Sequence, residues 1–255
     1  MSSKKDREKR REERLAEETK VESKDRRTRL LQFGAGAVFL VVAVVVVLIV
    51  IQGSSSDGGG DTKLEDVALV EQQLSGIPQQ DLVLGDPEAP VELIEFGDLQ
   101  CPVCKAHSEE ILPPVVEGQV EQGQAKIVFR NFTIIGPQSV PAGAAALAAG
   151  AQKRGWNFLD IFYRNQGKEN AGYADDEFLT AVAEAAGVTD IPKWNKERAG
   201  TKITGEVTKT TAEAQRLGFT GTPSYAVKGP STNGLELLGN VSSSGELESA
   251  INAAS

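Results

Sequence analysis

The chain has 255 residues, 40% hydrophobic and 25% charged, with a formal net charge of −9. That length accommodates one or two globular domains. The acidic balance excludes a nucleic-acid partner held by basic patches, since phosphate recognition depends on them. The charge is unevenly spread: residues 1–29 hold 12 basic and 8 acidic side chains, so the rest of the chain carries −13.

In chain order, residues 1–29 read as a mixed-charge cytoplasmic tail, disordered or transiently helical. Residues 30–51 form a run of 22 without a charge, and Gln32 is its only strongly polar side chain. At a helical rise of about 1.5 Å per residue it spans a hydrocarbon core of about 30 Å. The run exceeds a signal-peptide core of about 7–15 residues, and no A-x-A cleavage site or lipidation cysteine follows it. An uncleaved, single-pass transmembrane helix is expected. Lys24, Arg26, Arg27 and Arg29 crowd its N-terminal side, whereas Lys63 alone is basic between its end and residue 100. The positive-inside rule then places the N-terminus in the cytoplasm and everything after about residue 52 outside.

Residues 52–76 read as a linker. Gly53 to Asp61 is flexible, and Leu64 to Leu74 has the apolar spacing of a short helix ended by Gly76 and Pro78. After the turn Gly85-Asp-Pro-Glu-Ala-Pro90, Val91 to Phe96 has strand character. Then comes Cys101-Pro102-Val103-Cys104, which holds the only two cysteines. At the start of a helix the unpaired backbone N–H groups and the dipole stabilise a thiolate, and a two-residue gap lets the sulfurs form a disulfide. A structural role is disfavoured, because so short a loop removes little entropy from the unfolded chain. A zinc site needs about four ligands, and His107 is the only histidine. His107 itself reads as solvated on the helix surface, and no metal is expected. Redox chemistry is the remaining reading.

The helix after Cys101 carries Ile111, Leu112, Val115 and Val116, and Pro113-Pro114 must bend or interrupt it. Ala125 to Phe132 reads as a second strand, completing a βαβ unit. From 136 to 217 the pattern is helical. Asp175 or Asp176 caps one helix closed by Gly187, and another runs to Gly218. Phe219 to Lys228 returns to strand, Leu235 to Leu238 pairs with it, and Ser243 with Glu246 forms a capping box for a last helix.

These residues resemble a known family. Leu84-Gly85-Asp86-Pro87-Glu88-Ala89-Pro90-Val91, Glu95-Phe96-Gly97-Asp98-Leu99-Gln100 before the cysteines, and Leu217-Gly218-Phe219-Thr220-Gly221-Thr222-Pro223 look like a DsbA-like thioredoxin-fold disulfide oxidoreductase. The likeness spans residues 77–255 and is to the membrane-anchored actinobacterial type. It implies an α/β thioredoxin fold, βαβ…ββα, in two parts at 77–135 and 218–255, with a helical insertion at 136–217. It implies that Cys101 is the exchanging sulfur of a redox-active disulfide and that Cys104 resolves the mixed disulfide. It implies a cis Pro223 that holds Thr222 beside Cys101, with Thr222, Pro102 and Val103 meeting the substrate. Glu95 stands where the family places a buried acid able to take the Cys104 proton, with Lys126 or Arg130 as its candidate companion. Val103 replaces the histidine of the strongly oxidising pattern, so the helix N-terminus alone favours the thiolate.

The leading expectation is a disulfide-donating oxidase for reduced or unfolded exported proteins. Its implied re-oxidant is a membrane protein of the vitamin K epoxide reductase type. A reductase or isomerase, or a non-redox chaperone or binding module, are the alternatives. No nucleotide or cofactor motif appears. The short segment before residue 77 leaves no room for a dimerisation domain, so a monomer is expected. The topology has a direct check. Alkaline phosphatase fused after Ser255 is expected to be active; an inactive fusion, with a cytoplasmic reporter active in its place, overturns the outside placement.

Overall fold

The computed structural model describes residues 63–255. The expected tail at 1–29, the span at 30–51 and the linker up to 62 lie outside the described residues. Among the described residues no helix is long and apolar enough to cross a membrane.

A first helix, α1 (Val67–Gln73), occupies part of the segment expected to be helical and buries Val70. Two short strands follow, β1 (Gln79–Gln80) and β2 (Val83–Leu84), paired antiparallel. Their brevity hides them from alternation-based reading. Asp81 turns between them at a positive φ of 52°. Its carbonyl lies so close to Gly150 and Gly155 that a β-carbon at either position would collide with backbone.

β3 (Val91–Gly97) is central. It pairs parallel with β4 (Ala125–Asn131) and antiparallel with β5 (Ser224–Lys228), which carries β6 (Glu236–Gly239) at its other edge. The six strands run in the order β1-β2-β4-β3-β5-β6. A central strand has both faces covered, which explains why six of the seven β3 residues are buried rather than alternating. One face, bearing Val91 and Leu93 with Tyr225 and Val227, joins the main core, and the other packs Ile94 and Phe96 against Phe132, Ala214, Phe219 and Ala226. The two-residue period places Glu95 on the first of these faces, with Leu93.

The connection from β3 to β4 is helical throughout but not uniform. α2 (Pro102–Ala106) is followed by a π-helical stretch, His107–Ile111, then α3 (Leu112–Val115) and a second π stretch, Val116–Val120. Pro113 and Pro114 offer no N–H to the carbonyls four residues back. The helix widens instead, and the Leu112 N–H reaches His107 O, five residues back.

Between β4 and β5 lie α4 (Ser139–Gly150), α5 (Gly155–Arg164), α6 (Asp176–Ala185), α7 (Ile191–Arg198) and α8 (Thr201–Arg216). Asp175 caps α6 by accepting from the Phe178 N–H. Trp194 is fully buried, with its indole N–H on Ala145 O at 2.9 Å, and locks α7 onto α4. The last helix, α9 (Ser244–Ala254), starts after Ser243, but the expected reciprocal capping box is absent. Glu246 instead accepts hydroxyl bonds from Ser242 at 2.5 Å and Ser243 at 3.3 Å, since a carboxylate next to two serines takes both. The order βαβ, helices, ββα is the one expected of the thioredoxin fold.

Candidate active site

Cys101 stands at the N-cap of α2, with extended backbone angles and Pro102 in the first helical position. Its sulfur accepts from the Cys104 N–H at 3.4 Å, as an N-cap side chain should. The Thr222–Pro223 peptide bond is cis, and the Cys101 thiol donates to the Thr222 carbonyl at 3.3 Å. Cys101 is 4% exposed and Cys104 not at all. Both are free thiols. Pro102 is exposed, and Val103, 51% exposed, stands out beside it.

The two sulfurs are electrostatically unlike. The Cys101 thiol is lowered to about 6, first by the hydrogen bond from the Cys104 thiol, against burial, and further by Thr222 and the N–H groups of Cys104 and Val103. The Thr222 hydroxyl is buried and has no hydrogen-bond partner among the described residues. Cys104 is pushed well above the usual thiol value by its burial first, then by its bond to Cys101 and by the nearby Glu95. A proton is therefore removed easily from one sulfur and held by the other. Such a pair makes and breaks a disulfide with one sulfur slightly exposed and one sealed.

Glu95 lies beneath them at 1% exposure, and its Oε1 has no hydrogen-bond partner. Burial, and then the Cys101 charge, push its carboxyl up to about 8, with the Tyr225 hydroxyl pulling the other way. Neither expected companion attends it. Lys126 donates to Pro87 O at 2.7 Å, and Arg130 pairs with Glu213 at 2.5 Å. Both residues alternate away from the Glu95 face of the sheet, as the parallel register Glu95 to Phe129 requires. The neighbour is Tyr225, which stands directly opposite Glu95 on β5.

His107 corrects another expectation. It is 7% exposed rather than solvated, and its Nδ1 lies 3.1 Å from the Tyr225 hydroxyl, with the rings stacked at 5.7 Å. Burial holds it below its usual value. It falls three residues after Cys104, on the same helix face as that buried thiol. The cover it receives comes from β5 and lies 118 residues away in sequence.

Asp98 organises the loop that presents Cys101. Its Oδ1 accepts from Gln100 N at 2.9 Å, and its Oδ2 accepts from Ile134 N and Ile135 N at 2.8 and 2.9 Å. Its carbonyl accepts from Cys101 N at 2.9 Å. The segment after β4 completes the frame. Gln166 donates to Leu99 O at 2.6 Å and Cys101 O at 3.1 Å, and Gln100 links Ser139 and Asn170. Asp98 and Gln100 lie within the family-like motif, so position could have singled them out. Gln166 carries no sequence signal.

Comparison with known proteins agrees with this geometry. A thioredoxin family model matches residues 78–249. A probable disulfide bond formation protein D of Bacillus cereus is 33% identical over 153 residues, which cover 59% of this chain and 71% of that protein. The crystal structure of oxidised BdbD from Bacillus subtilis superposes with a TM-score of 0.60 at 21% identity, covering 69% of this chain and 96% of that one. A thioredoxin-like oxidoreductase from Silicibacter pomeroyi superposes at 0.55 with 28% identity, covering 75% of this chain and 98% of that one.

The contrast between the sulfurs is open to alkylation. In the reduced Cys104→Ala variant, alkylation of Cys101 is expected to rise with pH and reach half its maximum somewhat above pH 6, because that variant loses the Cys104 hydrogen bond. Cys104 in Cys101→Ala is expected to remain nearly inert at pH 7, since its folded pKa lies above the usual value. Faster reaction at Cys104 would reverse the two assignments.

Proposed function

Because the chain belongs to the thioredoxin family and is a protein-disulfide oxidoreductase, we propose that it is an oxidase that donates a disulfide to reduced or unfolded exported proteins. The observation that carries this reading is the opposed tuning of the two sulfurs, Cys101 down to about 6 and Cys104 well up. A low-pKa thiolate is a good leaving group.

The reaction runs as two exchanges. A substrate thiolate attacks Cys101 Sγ of the oxidised pair. The Cys101–Cys104 bond breaks, and the Cys104 sulfur leaves with the electron pair and takes a proton from Glu95. The second substrate thiolate then attacks the substrate sulfur of the mixed disulfide. The substrate gains its disulfide, and Cys101 departs as a stabilised thiolate. The substrate is oxidised by two electrons and the enzyme is reduced by two. Re-oxidation reverses the proton flow: Glu95 takes the Cys104 proton as Cys104 attacks a mixed disulfide between Cys101 and the oxidant.

Substrate approaches over the exposed Pro102 and Val103 and along the Thr222-Pro223 loop. The Thr222 carbonyl, 3.3 Å from the Cys101 sulfur, is a backbone edge for an extended chain. The uncharged span at 30–51 anchors the chain and the basic residues before it orient the rest outside, with 218–255 completing the thioredoxin part and 136–217 inserted into it. A membrane oxidant of the vitamin K epoxide reductase type re-oxidises it, and it works as a monomer without cofactor or metal.

The test is direction. Oxidised full-length protein in detergent is mixed with a reduced, unfolded client. Stoichiometric oxidation, becoming catalytic when a small-molecule disulfide is supplied, is expected. Reduction of client disulfides without oxidation of client thiols would favour the reductase reading, and neither activity in a folded protein would favour a binding module.

A further inference from the structure

Resolution of a mixed disulfide leaves a proton on Glu95, and both Glu95 and Cys104 are sealed from water at 1% and 0% exposure. The cycle repeats only if that proton leaves. Neither Lys126 nor Arg130 serves Glu95, since both are bonded elsewhere. Tyr225 does lie beside it, as its directly opposed partner across the antiparallel β3–β5 pair, where facing side chains approach within about 5 Å. The same Tyr225 hydroxyl meets His107 Nδ1 at 3.1 Å. His107 opens the π-helical stretch forced by Pro113-Pro114, a feature often found where helices are bent to a task. His107 retains 7% exposure against 1% for Glu95 and none for Tyr225, so the carboxyl, hydroxyl and imidazole run toward the least sealed of the three residues.

We propose that Tyr225 and His107 form a proton relay that connects Glu95 with solvent and recharges it for each exchange. This rests on the reading of Cys101 and Cys104 as an exchanging pair and holds for either direction of net redox flow. When Cys104 attacks the Cys101 mixed disulfide, the new bond is Cys101–Cys104, the bond to the partner breaks, and the partner sulfur leaves with the electron pair. The Cys104 proton moves to Glu95. Glu95 then donates to the Tyr225 oxygen as the Tyr225 hydroxyl donates to His107 Nδ1, and His107 releases a proton from Nε2 to water. Tyr225 stays neutral throughout, so its strong preference for the protonated form is no obstacle. Both residues act through Glu95 and are positioning residues.

The groups around His107 leave it free for this role. On its own helical run, Lys105 and Glu109 pair with each other at 3.7 Å, and Glu110 is exposed. On α5, which packs against the π stretch, Asp160 takes the Ser108 hydroxyl at 2.7 Å and lies 3.8 Å from Arg164. On α9, which packs against α3, β3 and β5, the acids are Glu246 and Glu248. Among the described residues only Tyr225 hydrogen-bonds the imidazole. A purely structural His107–Tyr225 bond would contribute to stability and nothing to proton transfer.

The test follows release of a preformed Cys101–glutathione mixed disulfide by Cys104, in rapid-mixing experiments on the full chain, across pH and across H2O–D2O mixtures. The wild type is expected to give a curved proton inventory, with more than one proton moving. Tyr225→Phe and His107→Gln are expected to slow release by roughly tenfold, below the 10²–10⁴ that a general base contributes directly, and to lose the wild-type pH inflection. Glu95→Gln should slow it at least as much, and adding Tyr225→Phe to it should cost nothing further. Imidazole added to His107→Gly should restore part of the rate. Folded variants that release at the wild-type rate with the wild-type pH profile overturn the relay alone. Should the variants fail to fold, the wild-type inventory decides: a linear one, from a single proton, overturns the relay. A wild type that cannot release glutathione at all overturns both the relay and the oxidoreductase reading beneath it.

Discussion

One turn of helix sets the character of this molecule, because it brings the Cys104 thiol, whose hydrogen bond lowers Cys101 most, against the Cys101 sulfur. The Cys104 N–H, a free donor of the first turn of α2, points at Cys101 Sγ at 3.4 Å. Every helix must satisfy its first N–H groups, and here the satisfying group is a sulfur that gains by becoming an anion. The same turn that stabilises charge on Cys101 carries Cys104 into the core, where charge is disfavoured. The difference between the sulfurs thus follows from one turn of helix and its burial. Pro102 supports that turn, since its missing N–H is one that a helix start leaves free in any case.

That geometry would be lost if the preceding loop moved. Asp98 prevents this by holding three backbone N–H groups with its two oxygens and the Cys101 N–H with its carbonyl. The segment between β4 and β5 contributes the rest, through Ser139 at the start of α4 and through Gln166 and Asn170 in the loop after α5. It helps position the chemistry as well as enlarge the fold. On the far side of the pair the Thr222 carbonyl fixes the sulfur from a loop 121 residues later in sequence. Separate segments therefore converge on one residue: Asp98 and Gln166 hold the Cys101 backbone, and the Thr222 carbonyl meets its 4% exposed sulfur.

The sequence was informative where chemistry is local. The cysteine spacing, its helix start, the strand before it and the Thr-Pro loop are all contiguous signals, and each leads to an element found in the structure. β1 and β2, two residues each, are too short to show any alternation. His107 appeared solvated because helical spacing says which face a residue takes and nothing about what covers that face. Lys126 and Arg130 were plausible companions of Glu95 by proximity in the βαβ unit, but sheet register turns them elsewhere. Tyr225, two residues past Pro223, read as an ordinary strand residue. Its contact with Glu95 exists only through pairing across 130 positions of sequence, which no local pattern encodes. The widened helix at 107–111 was legible as a disturbance from Pro113-Pro114, although the π form was not.

The tuning of Cys101 sets the thermodynamic poise of the pair. Thioredoxin, with a thiol pKa of about 7, sits near −270 mV, and DsbA, with about 3.5, near −120 mV. A Cys101 value of about 6 lies between them. Equilibrating the full chain with glutathione buffers and quantifying the Cys101–Cys104 disulfide gives the potential directly. A value of about −230 to −190 mV is expected, oxidising enough to donate disulfides to reduced chains. A value at or below about −270 mV would contradict the stabilised Cys101 thiolate and the oxidase built on it.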